Sequence, residues 1–100
     1  MPKGYVIFTE VVHDPDGMRA YARAAGEAMA DGVKVLAVDR DPEVLEGEWP
    51  ATQTVLLEFP SVEEARTWYT SERYQAAADL RRAAADTDVV LLAGFEVPGT

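Results

Sequence analysis

Residues 53–74, QTVLLEFPSVEEARTWYTSERY, pass from strand to helix across a single proline. The first part, 52–59, is rich in β-branched and aromatic side chains and predicts a strand. Pro60 stops it, because it has no N–H to give to a ladder. Ser61 with Glu64 three residues on is a capping box that starts a helix. Val62, Ala65, Trp68 and Tyr69 then recur at helical spacing and predict its buried stripe. A break is expected near Thr70–Ser71, with Ser71 capping a further helix to about Ala85 that buries Ala77, Leu80 and Ala84.

The rest of the chain falls into place around this unit. GYVIFTEVV at 4–12 reads as the first strand. In HDPDG, Asp14 suits an N-cap, Pro15 the first helical position, and Asp16 the positive end of the helix dipole. A helix over 15–30 follows, with Met18, Tyr21, Ala22, Ala25 and Met29 as its buried stripe. Gly32 suits a left-handed C-cap. Residues 33–39 predict a second strand, 39–51 an acidic loop, Asp86–Asp88 a turn and 88–95 the last strand. The order β-α-β-β-α-β is the ferredoxin-like α+β pattern: a four-stranded antiparallel sheet with its helices on one face, built as one domain over 1–100.

An antiparallel sheet with one wet face should alternate apolar and polar residues. These strands do not. The first offers Tyr5, Ile7 and Val11 on one side and Val6, Phe8 and Val12 on the other. The third sets Val55, Leu57 and Phe59 against Leu56, Thr54 and Glu58. The last sets Val89, Leu91 and Phe95 against Val90 and Leu92. Helices can cover only one face. At ~25 cal/mol per Å² of apolar area, leaving the other wet forgoes several kcal/mol. The expectation is a two-fold homodimer packed sheet to sheet.

Charge and composition remove several classes of partner. Eighteen acidic residues against nine basic ones give a formal charge of −9, which repels nucleic-acid backbones and anionic membranes. No apolar run approaches the ~20 residues of a membrane helix, and MPKGYVIF lacks the form of a signal peptide. With no cysteine the chain has no disulfide or thiolate chemistry, and it fits a cytoplasmic setting. No metal-ligand spacing, GxGxxG, P-loop or GxSxG is present, so no metal or cofactor is expected.

LEGEW at 45–49, LEFPS at 57–61, WYTSERYQ at 68–75 and LRRAA at 80–84 resemble domain-of-unknown-function family 1330, of the dimeric α/β-barrel superfamily. The resemblance covers nearly the whole chain. It implies the ferredoxin-like fold, the sheet-to-sheet dimer, and ligands held between helices and sheet. Wider relatives implied by it include cofactor-free monooxygenases, cyclases, isomerising enzymes and stress-response proteins. Glu46, Trp49, Glu58, Trp68, Tyr69, Tyr74 and Arg81 match the family pattern in type. Glu48 stands where the family more often has Asp.

The candidate site residues each carry two readings. His13, the one histidine, is a natural acid or base, or else an exposed residue beside a helix cap. Glu58, between Leu57 and Phe59, is a carboxylate that burial could raise in pKa, or else a solvated strand end or arginine partner. Arg81 follows Tyr74 by two helical turns, so the two share a face with Trp68 and Tyr69 near by. Together they form either a cleft wall with an anion-holding arginine or an aromatic core with a structural ion pair. Trp49 is a pocket lid or an interface anchor. The leading reading is a cofactor-independent small-molecule enzyme, such as an acid–base cyclase, isomerase or monooxygenase. His13, Glu58, Tyr69 and Arg81 would be catalytic, and Trp49, Trp68 and Tyr74 would bind substrate. The alternative is a non-catalytic dimer that binds a small molecule.

Overall fold

The computed structural model describes residues 2–50 and 52–98. Its elements are β1 (Gly4–Val12), α1 (Pro15–Glu27), β2 (Lys34–Asp39), β3 (Gln53–Phe59), α2 (Val62–Thr70), α3 (Glu72–Ala84) and β4 (Ala85–Ala93). The strands form one antiparallel sheet in the order β2-β3-β1-β4. This is the ferredoxin-like arrangement. The loop expected over 39–51 is seen to Pro50, and Ala51 lies outside the described residues.

The caps work as the sequence implies. Asp14 accepts from the Gly17 N–H, Ser61 from Glu64, and Ser71 from Tyr74. Each satisfies a backbone donor that the first helical turn leaves without a partner. Ser71, in extended backbone, ends α2 and starts α3 at once, which produces the expected break.

Three expectations need correction. First, β4 begins at Ala85, directly out of α3, and there is no turn at Asp86–Asp88. The far end of β1 needs a partner, and Thr87, Asp86 and Ala85 pair with Glu10, Val11 and Val12. The acids stay exposed on the outer face while Thr87 points inward, and Phe95 lies beyond the strand, exposed. Second, α1 ends at Glu27, and Gly32, at φ +80°, forms the turn into β2 instead of the helix cap. Third, α3 buries Arg81 and leaves Leu80 41% exposed. The arginine is drawn inward by the Thr87 hydroxyl and by the rings of Phe8 and Tyr21.

The core lies between the inner face of the sheet and α2–α3. Val6, Phe8, Leu57 and Phe59 meet Ala65, Trp68, Tyr74 and Ala78 there. The rings of Trp68 and Tyr74 lie 4.0 Å apart and those of Phe59 and Trp68 5.1 Å apart. Burying a ring of this size contributes about 2–3 kcal/mol. The outer face carries Ile7, Leu56, Val90 and Leu92, and among the described residues no helix covers it. Among the described residues no helix is long and apolar enough to cross a membrane.

Candidate functional site

Helix α1 packs mainly on α3 and stands off from the sheet. Its first turn is tied down, because His13 and Asp14 both donate their N–H groups to the Ala84 carbonyl at 3.0 Å. Gly17 lets the helices approach there; a Cβ on it would sit 2.8 Å from that of Ala84. The other end is pinned by the Trp68 indole, which donates to the Ala28 carbonyl at 3.0 Å. Between these anchors the expected buried stripe of α1 faces an open cleft of about 740 Å³. Met18, Tyr21 and Met29 form its roof, and Phe8, Val55 and Leu57 its floor. Such a volume is within the range of small-molecule sites.

The inner end of the cleft is polar. One row across three strands holds Gln53, Glu10 and Thr87, which lie opposite one another in register. Glu10 is only 1% exposed. The Gln53 amide donates to its Oε1 at 2.7 Å, and Arg40 Nε reaches the Gln53 carbonyl oxygen at 3.4 Å. Burial raises the Glu10 pKa, while the Gln53 bond and the charge of Arg81 pull it back. Arg81, 2% exposed, gives one N–H to the Thr87 hydroxyl; its Nε and Nη2 make no hydrogen bond among the described residues. The Tyr21 and Tyr74 hydroxyls are 2.8 Å apart. Burial, ahead of their mutual interaction, pushes the Tyr21 pKa up, and burial likewise raises that of Tyr74. Both phenols are therefore neutral hydrogen-bonding groups near neutral pH.

The residues singled out from the sequence are divided between the two faces. Trp68, Tyr74 and Arg81 are brought together under the cleft, and Trp68 lines it. Tyr69 is half-buried, its ring 5.4 Å from that of Tyr74, and it lines a separate recess with Arg81 and Thr87. His13 is exposed at the β1–α1 junction and does not line the cleft. Glu58 lies on the outer face, opposite Tyr5 and Lys34. The upward shift that one reading gave it is reversed: the hydrogen bond from Lys3 at 3.1 Å, helped by that from Tyr5, lowers its pKa against the effect of burial. The alternative reading of Glu58 as a partner for Arg81 does not hold either, since the sheet separates them. Trp49, 47% exposed, donates its indole N–H to Thr54 on that same outer face.

Three cleft residues were missed: Glu10, Gln53 and Tyr21 as a polar group. A signal for Glu10 existed. It continues the inward phase Val6, Phe8, Val12 and so interrupts an apolar face with a carboxylate. Among the described residues no three metal-ligating side chains come together.

The family model described as a domain of unknown function (DUF1330) matches residues 3–95. A protein of unknown function from Rhodopseudomonas palustris is 20% identical, with a TM-score of 0.71 over 96% of this chain and 85% of that one. A dimeric ferredoxin-like protein of unknown function from Thermobifida fusca is 17% identical, with a TM-score of 0.64 over 92% and 91%. SnoaB, a cofactor-independent oxygenase from Streptomyces nogalater, is 12% identical, with a TM-score of 0.60 over the full length of both chains. At these identities the likeness shows the fold alone. No curated protein matches the chain.

Proposed function

The chain belongs to the DUF1330 family of domains of unknown function, and on that footing we propose that it is a cofactor-independent enzyme moving a proton beside a carbonyl of a small, mostly apolar molecule. The observation that carries this reading is the Glu10 carboxylate, buried at the end of the apolar cleft and raised in pKa by that burial. A general base works best when its pKa is brought toward the working pH. Glu10 takes the role that the sequence offered to His13 or Glu58, because neither of those lines the cleft.

In the proposed step Glu10 accepts a proton from the carbon next to the carbonyl. The electron pair of that C–H bond moves onto the carbonyl oxygen. Tyr21, in hydrogen-bond exchange with Tyr74, donates to the oxygen as it becomes an enolate. The charge of Arg81 balances Glu10 before the transfer and the enolate after it. Trp68 forms a wall for the substrate, and Tyr69 supports Tyr74. Returning the proton elsewhere gives an isomer, and attack by the enolate closes a ring. The description of SnoaB as a cofactor-independent oxygenase supports chemistry on this fold without a bound group. The protein acts as a homodimer joined through the uncovered outer face, with Trp49 at the interface. The dimeric Thermobifida fusca protein supports that arrangement.

The test is proton exchange in D₂O on a panel of neutral bicyclic ketones, beginning with 1-tetralone. The protein should speed loss of the proton signal next to the carbonyl, and Glu10→Gln should cut that acceleration by about 100-fold or more. If no ketone exchanges faster with the parent than with the variant, the enzymatic reading falls and a binding module remains.

A further inference from the structure

We infer that the cleft takes an electrically neutral, mainly apolar molecule bearing a hydroxyl or enol group, and that Glu10 accepts the hydrogen bond from that group. The inference rests on the reading of this cleft as a ligand site.

Charge comes first. When Glu10 is ionised, it and Arg81, both buried at the inner end, are of opposite sign and attract one another. A charged ligand would upset that pairing where water is excluded, which is costly. An anion has no direct route to Arg81 from the cleft. The guanidinium lies over the rings of Phe8 and Tyr21, at 5.5 and 5.8 Å from their centres. Those two rings line the cleft and Arg81 does not. A cation meets a carboxylate that is already compensated, and Arg19 and Arg40 also line the cleft.

Hydrogen bonding sets the rest. Gln53 occupies Oε1 of Glu10, whereas Oε2 has no hydrogen bond among the described residues. A free carboxylate oxygen can only accept, so the ligand must donate. Away from this polar end the cleft is lined mainly by hydrocarbon and thioether, including Met18, Met29, Val55 and Leu57. The complement is one O–H on an apolar body.

Calorimetry with three probes of one size tests this: 2-naphthol, its methyl ether 2-methoxynaphthalene, and the anion 2-naphthoate, all at pH 7. The parent protein should bind 2-naphthol at least about tenfold tighter than either of the others, as expected for a hydrogen bond to a charged group. Glu10→Gln should bring 2-naphthol to within about twofold of the ether. Equal binding of naphthol and ether by the parent, binding of 2-naphthoate as tight as that of 2-naphthol, or no binding of any probe at millimolar concentration would each overturn the inference. The comparison on the parent decides the matter even if the variant fails to fold. A preference for 2-naphthol with no ketone exchange supports this ligand class while the acid–base reading falls. A preference for 2-naphthoate sinks the ligand class whatever the exchange assay gives.

Discussion

Glu10 and Arg81 are opposite charges buried on the same inner face of the sheet, and neither hydrogen-bonds the other. Glu10 takes its bond from Gln53, and Arg81 gives one to Thr87. They are coupled through space alone, with the rings of Phe8 and Tyr21 lying against the guanidinium.

Removing either charge leaves its partner uncompensated in the interior, and removing both does not. Arg81→Met should destabilise the fold, and the effect of Glu10→Gln should be more favourable in that background than in the parent. The double variant should retain at least about 1 kcal/mol more than the sum of the singles implies. Urea unfolding of the four proteins measures this, and strict additivity would show that the charges do not interact.

Glu10 and Glu58 should give opposite dependences of stability on pH. The Glu10 pKa is raised in the folded state, so its contribution is full below the unfolded value and is lost as pH rises through the folded one. The stability of the parent relative to Glu10→Gln should therefore fall as pH rises above the unfolded value of about 4. The Glu58 pKa is lowered, chiefly by Lys3, so its contribution is present above the unfolded value and is lost as pH falls. Lys3→Met should flatten the loss of stability below about pH 4. Unfolding curves across that range read both slopes.

Trp68 holds the C-terminal end of α1 through the Ala28 carbonyl. Trp68→Phe removes that bond and leaves a buried acceptor without its partner, at a cost of about 1–2 kcal/mol. Amide exchange should quicken over residues 24–29 and stay unchanged at the first turn, which is tied through Ala84. Uniform acceleration along the helix would show that Trp68 acts only as core.

Ile7 stands at the centre of the outer face, opposite Leu56 on one side and Val90 on the other. Sedimentation of the parent should give twice the 10.9 kDa of one chain. Ile7→Lys should give a single folded chain, because a lysine there cannot be buried against a second sheet without a partner. A parent that sediments at 10.9 kDa would remove the dimer.

Local sequence determined the order of the elements and several of their ends. Pro60, the Ser61–Glu64 box, the Ser71 recap and Asp14–Pro15 act within a few residues of themselves, so their effects could be read directly. The two-sided apolar strands fixed the faces of the sheet, since side-chain direction alternates with a period of two. The site needed more than that. Whether position 80 or 81 of α3 turns inward depends on Thr87 and on two rings from distant elements, and hydropathy alone favours the leucine. Glu10 and Glu58 are both carboxylates in β-rich strands. One meets Gln53 inside and the other Lys3 outside, and only strand register separates them. The cleft itself arises because α1 is held at its two ends by α3 and Trp68 and not along the sheet, a balance of long-range contacts that no local pattern of residues records.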